Sequence, residues 1–369
     1  MSATPLRVLH VLGELRHSGA EVMLAVAAPL FREQGVTADV LSTGSERVGR
    51  FADRLAQAGY RVHHIPFARS PAFFWRLWKL LRTGYDAVHI HTERATFWVG
   101  LTVRAAGVPV MLKSIHNAFS FTGGLRLRRA VQRHLLAWIG LRQILVSRSV
   151  QETERHHFGL ETPVIHNWFD LARFHPPSEP ERQRAREAQQ AGDDDVVLVS
   201  LGNCNAFKNH GELLRALALV PAARRPLYLH AGEEEPGNPE RELARSLGIL
   251  GRVRFLGSVE DVPGLLHAAD GFVMPSLREG LPISALEALA TGLPAILSDV
   301  DGLRDLRPMF PGLIYADPSA QAICEAIRSF LDLDVEARRR LGRGSPSIAA
   351  REYEVRAGVE GYVRVYRGL

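Results

Sequence analysis

Pro275-Ser276-Leu277-Arg278-Glu279-Gly280-Leu281-Pro282-Ile283-Ser284-Ala285-Leu286-Glu287-Ala288-Leu289-Ala290-Thr291-Gly292-Leu293-Pro294 is the stretch whose reading decides the fold. The apolar run Gly271-Phe272-Val273-Met274 ahead of it predicts a buried strand. A Gly/Pro-punctuated turn follows, then a helix entered near Pro282 and stopped by Gly292. One carboxylate, Glu279, falls in the loop and another, Glu287, inside the helix. Eight helical residues rise about 12 Å, so the two stand roughly that far apart, whereas glycosidase acid/base pairs sit at about 5–9.5 Å. Such a spacing suits the two ends of an elongated ligand. The helix N-terminus between them offers N–H groups and a positive dipole end to a phosphate. The plain alternative is a solvated polar stripe of Ser284, Glu287 and Thr291 on one helical face.

Outward from this stretch, apolar runs alternate with helical patterns. Strands are predicted at Leu6–Leu12, Ala38–Leu41, Val62–Ile65, Ala87–Ile90, Val110–Ser114 and Gln143–Val146, then at Val196–Leu201, Leu227–Ala231, Val253–Leu256, Gly271–Met274 and Ala295–Ser298. Helical patterns such as Val22–Glu33, Thr96–Ala106 and Val150–Phe158 lie between them, which indicates βαβ units and parallel sheets. The 369 residues suit two domains with full cores. The polar segment from Pro176 to Asp195 reads as the linker. Residues 1–175 and 190–350 then form the domains, and the aromatic helical segment Tyr353–Leu369 docks.

Hydrophobic residues at 46% and charged residues at 23% are ordinary globular usage. Two cysteines, Cys204 and Cys324, make no disulfide framework and fit a reducing compartment. No charged-then-apolar leader and no 18-residue apolar run is present, so neither export nor membrane crossing is expected. The net charge of +5 is uneven. Residues 1–175 hold 22 Lys/Arg against 12 Asp/Glu, and the remainder holds 23 against 28. A basic first half implies an anionic partner: an anionic phospholipid membrane surface, nucleic acid or a phosphorylated acceptor. Nucleic acid is not expected, because no zinc-finger spacing, RNP-like motif or basic zipper occurs.

Other positions carry chemistry. Gly13-Glu14-Leu15-Arg16-His17-Ser18-Gly19-Ala20-Glu21 follows the first strand and opens a helix, the arrangement that brings backbone N–H groups to a phosphate. Gly202-Asn203-Cys204-Asn205-Ala206-Phe207-Lys208-Asn209-His210 repeats it in the second half, with the lone lysine of residues 176–369 at Lys208. His91 and His116 each end a strand, where open α/β sheets place ligands, although a lone histidine there is more often structural. Asp299-Val300-Asp301 is formally D-x-D, a pattern that recurs by chance, and no metal is expected there. Phe73–Arg82 and Phe121–Gly140 mix aromatic, apolar and arginine residues at helical spacing. They suit either a membrane interface or core-packed helices with an arginine-rich outer face.

These residues together resemble the retaining glycosyltransferases of family 4, with the two-domain GT-B fold. Ser18-Gly19-Ala20-Glu21 is similar to that family's Gly-Gly-x-Glu loop, and Val164-Ile165-His166-Asn167-Trp168-Phe169-Asp170 to its hinge strand. Gly107-Val108-Pro109 through His116-Asn117 resembles its histidine-bearing segment, and Gly202–His210 its G-R-L-x-x-x-K-G-H loop. Ala269-Asp270 through Gly292 matches, without a gap, the segment that carries its two glutamates. The resemblance implies an α/β GT-B architecture, two Rossmann-like domains across a cleft, with the C-terminal helix crossing back to the first.

It further implies transfer of a sugar from a UDP- or GDP-sugar to a saccharide or lipid-linked acceptor, as in bacterial surface-glycan synthesis. The expected location is cytoplasmic, peripheral on the inner face of the cell membrane. Glu279 would hold donor hydroxyls, the Gly280 and Leu281 N–H groups would lie beside sugar and phosphate, and Glu287 would bind ribose. Lys208 would meet the diphosphate, Ser18 and Gly19 would bring backbone N–H groups to it, and His116 would contact the sugar. Neither metal nor other cofactor is implied. Two positions depart from the pattern. Asn203 replaces the usual arginine beside the diphosphate, and Trp168 replaces the hinge glycine. They motivate a second reading, a relative that binds without transferring. A phosphorylase ranks last, since Lys208 is poorly placed to carry pyridoxal.

Overall fold

The computed structural model describes residues 5–44, 47–117, 121 and 123–369, and the chain divides into two compact units. Thr122, within the basic aromatic segment, lies outside the described residues.

The first unit comprises residues 1–168 and 355–369. Its order is β1 (Leu6–Leu12), α1 (Gly19–Glu33), β2 (Val36–Ser42), α2 (Ala52–Gln57), β3 (Arg61–His64), α3 (Pro71–Leu81), β4 (Ala87–Ile90) and α4 (Thr96–Ala106). Next come β5 (Val110–Ile115), α5 (Gly123–Trp138), β6 (Leu141–Leu145) and α6 (Arg148–Phe158). The second unit, residues 169–354, opens with α7 (Glu179–Ala188), β7 (Val197–Leu201), α8 (His210–Leu219), β8 (Leu227–Ala231) and α9 (Pro239–Ser246). It continues with β9 (Val253–Phe255), α10 (Val262–Ala268), β10 (Gly271–Met274), α11 (Ile283–Ala290), β11 (Ala295–Ser298) and β12 (Ile314–Ala316). Three helices, α12 (Ala320–Asp332), α13 (Val335–Gly342) and α14 (Ser345–Glu352), close it. The last helix, α15 (Val355–Tyr366), belongs to the first unit.

Both sheets are parallel, in the orders β3-β2-β1-β4-β5-β6 and β12-β11-β10-β7-β8-β9. Numbered within its own unit, the second order is the first reversed, so each unit is doubly wound in the Rossmann manner. The strand order turns back between β1 and β4 in one sheet and between β7 and β10 in the other. Loops leaving the carboxyl ends of those strands therefore border a crevice. The central strands are mostly apolar because helices cover both faces, with His10, His89 and Ser200 as buried polar exceptions. Leu9, Val11, Val88 and Ile90 are fully buried in the first unit, and Leu198, Val273 and Ile296 are buried in the second.

Residues 176–195 are not a bare tether. They contain α7, which starts at a Ser178/Glu181 capping box and packs against α10. No residue of α7 is buried. Arginines hold it instead: Arg182 and Arg186 reach Asp270 at 2.5 and 3.3 Å. The division falls between Trp168 and Phe169. Trp168 is buried within the first unit, its indole N–H donating to the Met23 carbonyl at 3.0 Å. It lies on α15 where Gly358 leaves room, since a Cβ there would stand 2.3 Å from Trp168 Cε3.

The two basic aromatic helices differ. On α3, Phe73, Leu77 and Leu81 are buried and Trp75 stacks outward on Trp78. On α5 the buried residues are Arg133 and Leu136, while Leu127, Val131 and Trp138 are exposed. Core packing with an arginine-rich outer face, one expectation for α5, holds only in part: Leu136 packs inward and Arg126 and Arg128 face out, but Arg133 is inside and apolar residues share the outer face. Arg133 turns inward because Glu154 takes it through two bonds of 2.7 and 2.9 Å and Glu93 adds a third at 3.2 Å.

Candidate functional site

In the second unit the loops after β7 and β10 meet at the point where the strand order reverses. Asn209, in the left-handed region at φ 58°, donates from its side-chain amide to the carbonyls of Pro275 and Pro318. The Leu277 N–H reaches the Phe207 carbonyl at 2.8 Å, and Arg278 lies over the Phe207 ring. So joined, the loops set Lys208 Nζ 2.7 Å from Glu279 Oε1, which also accepts from Ser276 Oγ at 2.7 Å. The lysine side chain keeps 23% of its surface exposed against 9% for the glutamate, so the ammonium faces out and the carboxylate in.

The turn at Glu279-Gly280 rests on Gly302, whose φ is +82°. A Cβ there would lie 2.3 Å from the Glu279 carbonyl oxygen. Gly280, Leu281 and Pro282 then lead into α11. Glu287 sits on the inner side of this helix and Thr291 follows it, both buried, so a solvated polar stripe is excluded. That helix is buried on nearly every side because its sequence, Ile283-Ser284-Ala285-Leu286-Glu287-Ala288-Leu289-Ala290, is apolar at almost every position.

Asn203, expected beside a diphosphate, accepts the Glu233 N–H through its side-chain oxygen at 2.8 Å and so braces the loop. The D-x-D carboxylates are committed elsewhere. Asp299 is bridged by Arg304 at 2.6 Å and Arg307 at 3.0 Å, and Asp301 by Arg304 at 3.3 Å.

In the first unit the reversal of strand order brings the loop after β1 next to the end of β4. Ser18 stands at the N-cap position of α1, without a side-chain capping bond, and Gly19 is the first residue of the helix. The Ser18 hydroxyl bonds Glu21, which is buried, and desolvation pushes that carboxyl up to about 7 against the opposing pull of Ser18. His116 does not stand alone. His10 Nδ1, on β1, lies 3.1 Å from His91 Nε2, and His91 Nδ1 lies 3.1 Å from His116 Nε2. His116 also bonds Asn167. Burial lowers all three imidazoles, His10 to about 3 and His116 to about 4, so the chain is uncharged at neutral pH. Beside it His89 bonds Tyr366 at 2.7 Å and Ser114 at 2.8 Å, and Ser114 bonds Tyr362. Both tyrosines come from α15.

A cavity of about 420 Å³ opens in the same unit, lined by Phe67, Arg69, Arg94, Trp98, Arg128 and Arg129 among others. The volume suits a small-molecule ligand. Three of the arginines, Arg69, Arg94 and Arg128, are exposed and fit an anion. Sequence reasoning missed this cavity because its residues come from three separated segments. It also missed His10 and His89, whose one signal was a polar residue amid apolar strand positions.

The profile of Glycosyltransferase Family 4 matches residues 17–173 and that of Glycosyl transferases group 1 matches residues 181–347. The chain is 30% identical over 317 residues to the protein EpsF of Bacillus subtilis, covering 81% of this chain and 80% of that protein. It is 27% identical to UDP-Gal:alpha-D-GlcNAc-diphosphoundecaprenol alpha-1,3-galactosyltransferase of Escherichia coli, covering 61% of each. In fold it matches Anabaena HepE, solved in complex with UDP and glucose. There the TM-score is 0.85 at 20% identity, over 99% of this chain and 100% of that one. The fold is therefore GT-B.

Proposed function

We propose, because the chain belongs to the Family 4, group 1 glycosyltransferases, that it moves a sugar with retention from a UDP- or GDP-sugar to a saccharide or lipid-linked acceptor. One observation carries the reading: the Lys208–Glu279 pair lies where the second sheet reverses its strand order. The ammonium and carboxylate, 2.7 Å apart, are a preformed cation and acceptor that a donor can separate. Lys208 passes to the leaving diphosphate, whose developing charge it stabilises. Glu279, still held by Ser276, takes the sugar hydroxyls. The N–H groups of Gly280 and Leu281 serve sugar and phosphate, and Glu287 takes the ribose. On the first unit the same reading gives Ser18 and Gly19 the diphosphate, and gives His116 the sugar as a neutral polar contact.

Transfer on this reading needs no divalent metal, since Lys208 and a helix N-terminus supply the positive charge. Added Mg²⁺ or Mn²⁺ is expected to leave the rate unchanged, and strict dependence on either would overturn that part. A UDP donor is favoured by two relatives, HepE with UDP and the E. coli enzyme whose name specifies UDP-Gal. The arginine-lined cavity fits a phosphorylated acceptor, and the exposed Leu127, Val131 and Trp138 of α5 fit the membrane that would hold its lipid. The lipid-linked saccharide acceptor in the name of the E. coli relative supports a role in polysaccharide assembly.

The decisive experiment offers a panel of UDP- and GDP-sugars with membrane extract and follows product by NMR. An α-linked product from an α-linked donor, abolished in Lys208→Ala and Glu279→Ala, is expected. An inverted anomer refutes retention, and unchanged turnover in both variants refutes the site.

A further inference from the structure

The second unit contains a cluster that the transfer reaction does not use. Cys204 lies in the loop after β7, His210 begins α8, His230 is on β8 and Glu240 is in the first turn of α9. Cys204 and both histidines are buried, and ligand atoms of the three lie within 4.8 Å of one another. Cys204 Sγ is 3.3 Å from His230 Nε2, and the two imidazoles pack with ring centroids 4.3 Å apart.

The opposite nitrogen of each imidazole is already held. His230 Nδ1 is 2.9 Å from Ser200 Oγ, and His210 Nδ1 is 3.4 Å from Tyr228 Oη. Ser200 and Tyr228 bond each other at 2.6 Å. Metal-binding histidines show this pattern, one nitrogen fixed by an outer hydrogen bond and the other turned inward. In this cluster two buried polar atoms meet no hydrogen-bond partner: His210 Nε2 and Glu240 Oε2. The Glu240 carboxylate is near enough to the Cys204 thiol to help raise it, after burial. Buried polar atoms without partners are costly and need an explanation.

We propose that Cys204 Sγ, His210 Nε2, His230 Nε2 and Glu240 Oε2 form a structural binding site for a zinc-class divalent ion. One sulfur, two nitrogens and one oxygen make a four-coordinate set of the closed type. Zn–S bonds of about 2.3 Å and Zn–N bonds of about 2.0–2.1 Å place sulfur and nitrogen about 3.5 Å apart in a tetrahedron. The observed 3.3 Å needs little movement. Thiolate and imidazole select zinc over magnesium or calcium, which prefer oxygen. Binding exchanges the Cys204 S–H bond for a metal–sulfur bond and releases that proton to solvent. The ion would tie together both ends of the loop that carries Lys208. That consequence alone rests on the donor-site reading, and the ion takes no part in transfer.

The test uses the full chain, stripped with chelator and titrated with Co²⁺ as an optical probe. A thiolate-to-cobalt charge-transfer band saturating at one equivalent is expected, and Zn²⁺ should displace it. The band should vanish in Cys204→Ala, persist in Cys324→Ala and His10→Gln, and need more than about tenfold higher Co²⁺ in Glu240→Gln. One equivalent of Zn²⁺ should raise the Tm of the unmodified chain but not of Cys204→Ala. No charge-transfer band in the unmodified chain, or one that survives Cys204→Ala, overturns the proposal whatever the outcome of the transfer assays. The unmodified chain settles this even if a variant fails to fold.

Discussion

Lys208 and Glu279 lie 71 positions apart in the chain, yet each was visible in a contiguous motif because its loop follows a buried strand. Their contact was not visible, since it depends on which strands become neighbours. Lys208→Ala is expected to lower kcat about 100-fold or more, the scale for losing one group that stabilises developing negative charge. Ser276→Ala, which frees Glu279 from one bond, should have a smaller effect on kcat while leaving Tm nearly unchanged; steady-state kinetics and a melt check both. Trp168 stands out as a departure from the hinge pattern because the residue that accommodates it, Gly358, lies 190 positions downstream. Gly358→Ala forces a methyl to within 2.3 Å of the indole, which should cost about 1–3 kcal/mol. The same change in a Trp168→Gly background should cost much less, a non-additivity that denaturant melts of the double-mutant cycle read directly.

Elements were legible in proportion to how deeply the sheets bury them. Strands such as Ala87–Ile90, Leu227–Ala231 and Gly271–Met274 fall where apolar runs place them, because a strand covered on both faces needs no polar position. β12 is an edge strand with only one of its three residues buried, and α7 has no apolar face at all, being held by arginines on Asp270. Helix α5 misleads in the other direction, since Arg133 is inside while Leu125, Leu127 and Leu135 join Arg126 and Arg128 outside. A helix with that face should bind vesicles containing anionic lipid and release them in high salt. Cosedimentation of Leu127→Asp and Trp138→Asp should show the binding lost with Tm unaffected. Equal binding by the variants would remove α5 as the contact.

For the molecule as a whole, buried ionisable groups of the first unit set how stability varies with pH. Neutral His10 and His116 have folded values near 3 and 4 against 6.5 unfolded. Their contribution is complete above pH 6.5 and is lost as pH falls through that window. Glu21, raised from 4.5 to about 7, acts oppositely, its contribution being complete below 4.5 and lost as pH rises past 7. Melting should therefore weaken on acidification below about pH 6.5. Glu21→Gln should gain on the parent between pH 5 and pH 8.5, by on the order of 3 kcal/mol. A constant difference across that range would exclude the shift.

The return of α15 to the first unit also bears on the order in which the chain is made. Tyr362 and Tyr366 complete the hydrogen bonds of Ser114 and His89 inside a sheet whose strands were all synthesised before residue 146. Until the ribosome has passed residues 169–354, that polar network has neither its hydroxyl partners nor its cover. At about 5–20 residues per second, the exposure lasts roughly ten to forty seconds per chain. The nascent first unit must spend that interval as an unfinished fold, and the second unit, though later in sequence, is the first able to close.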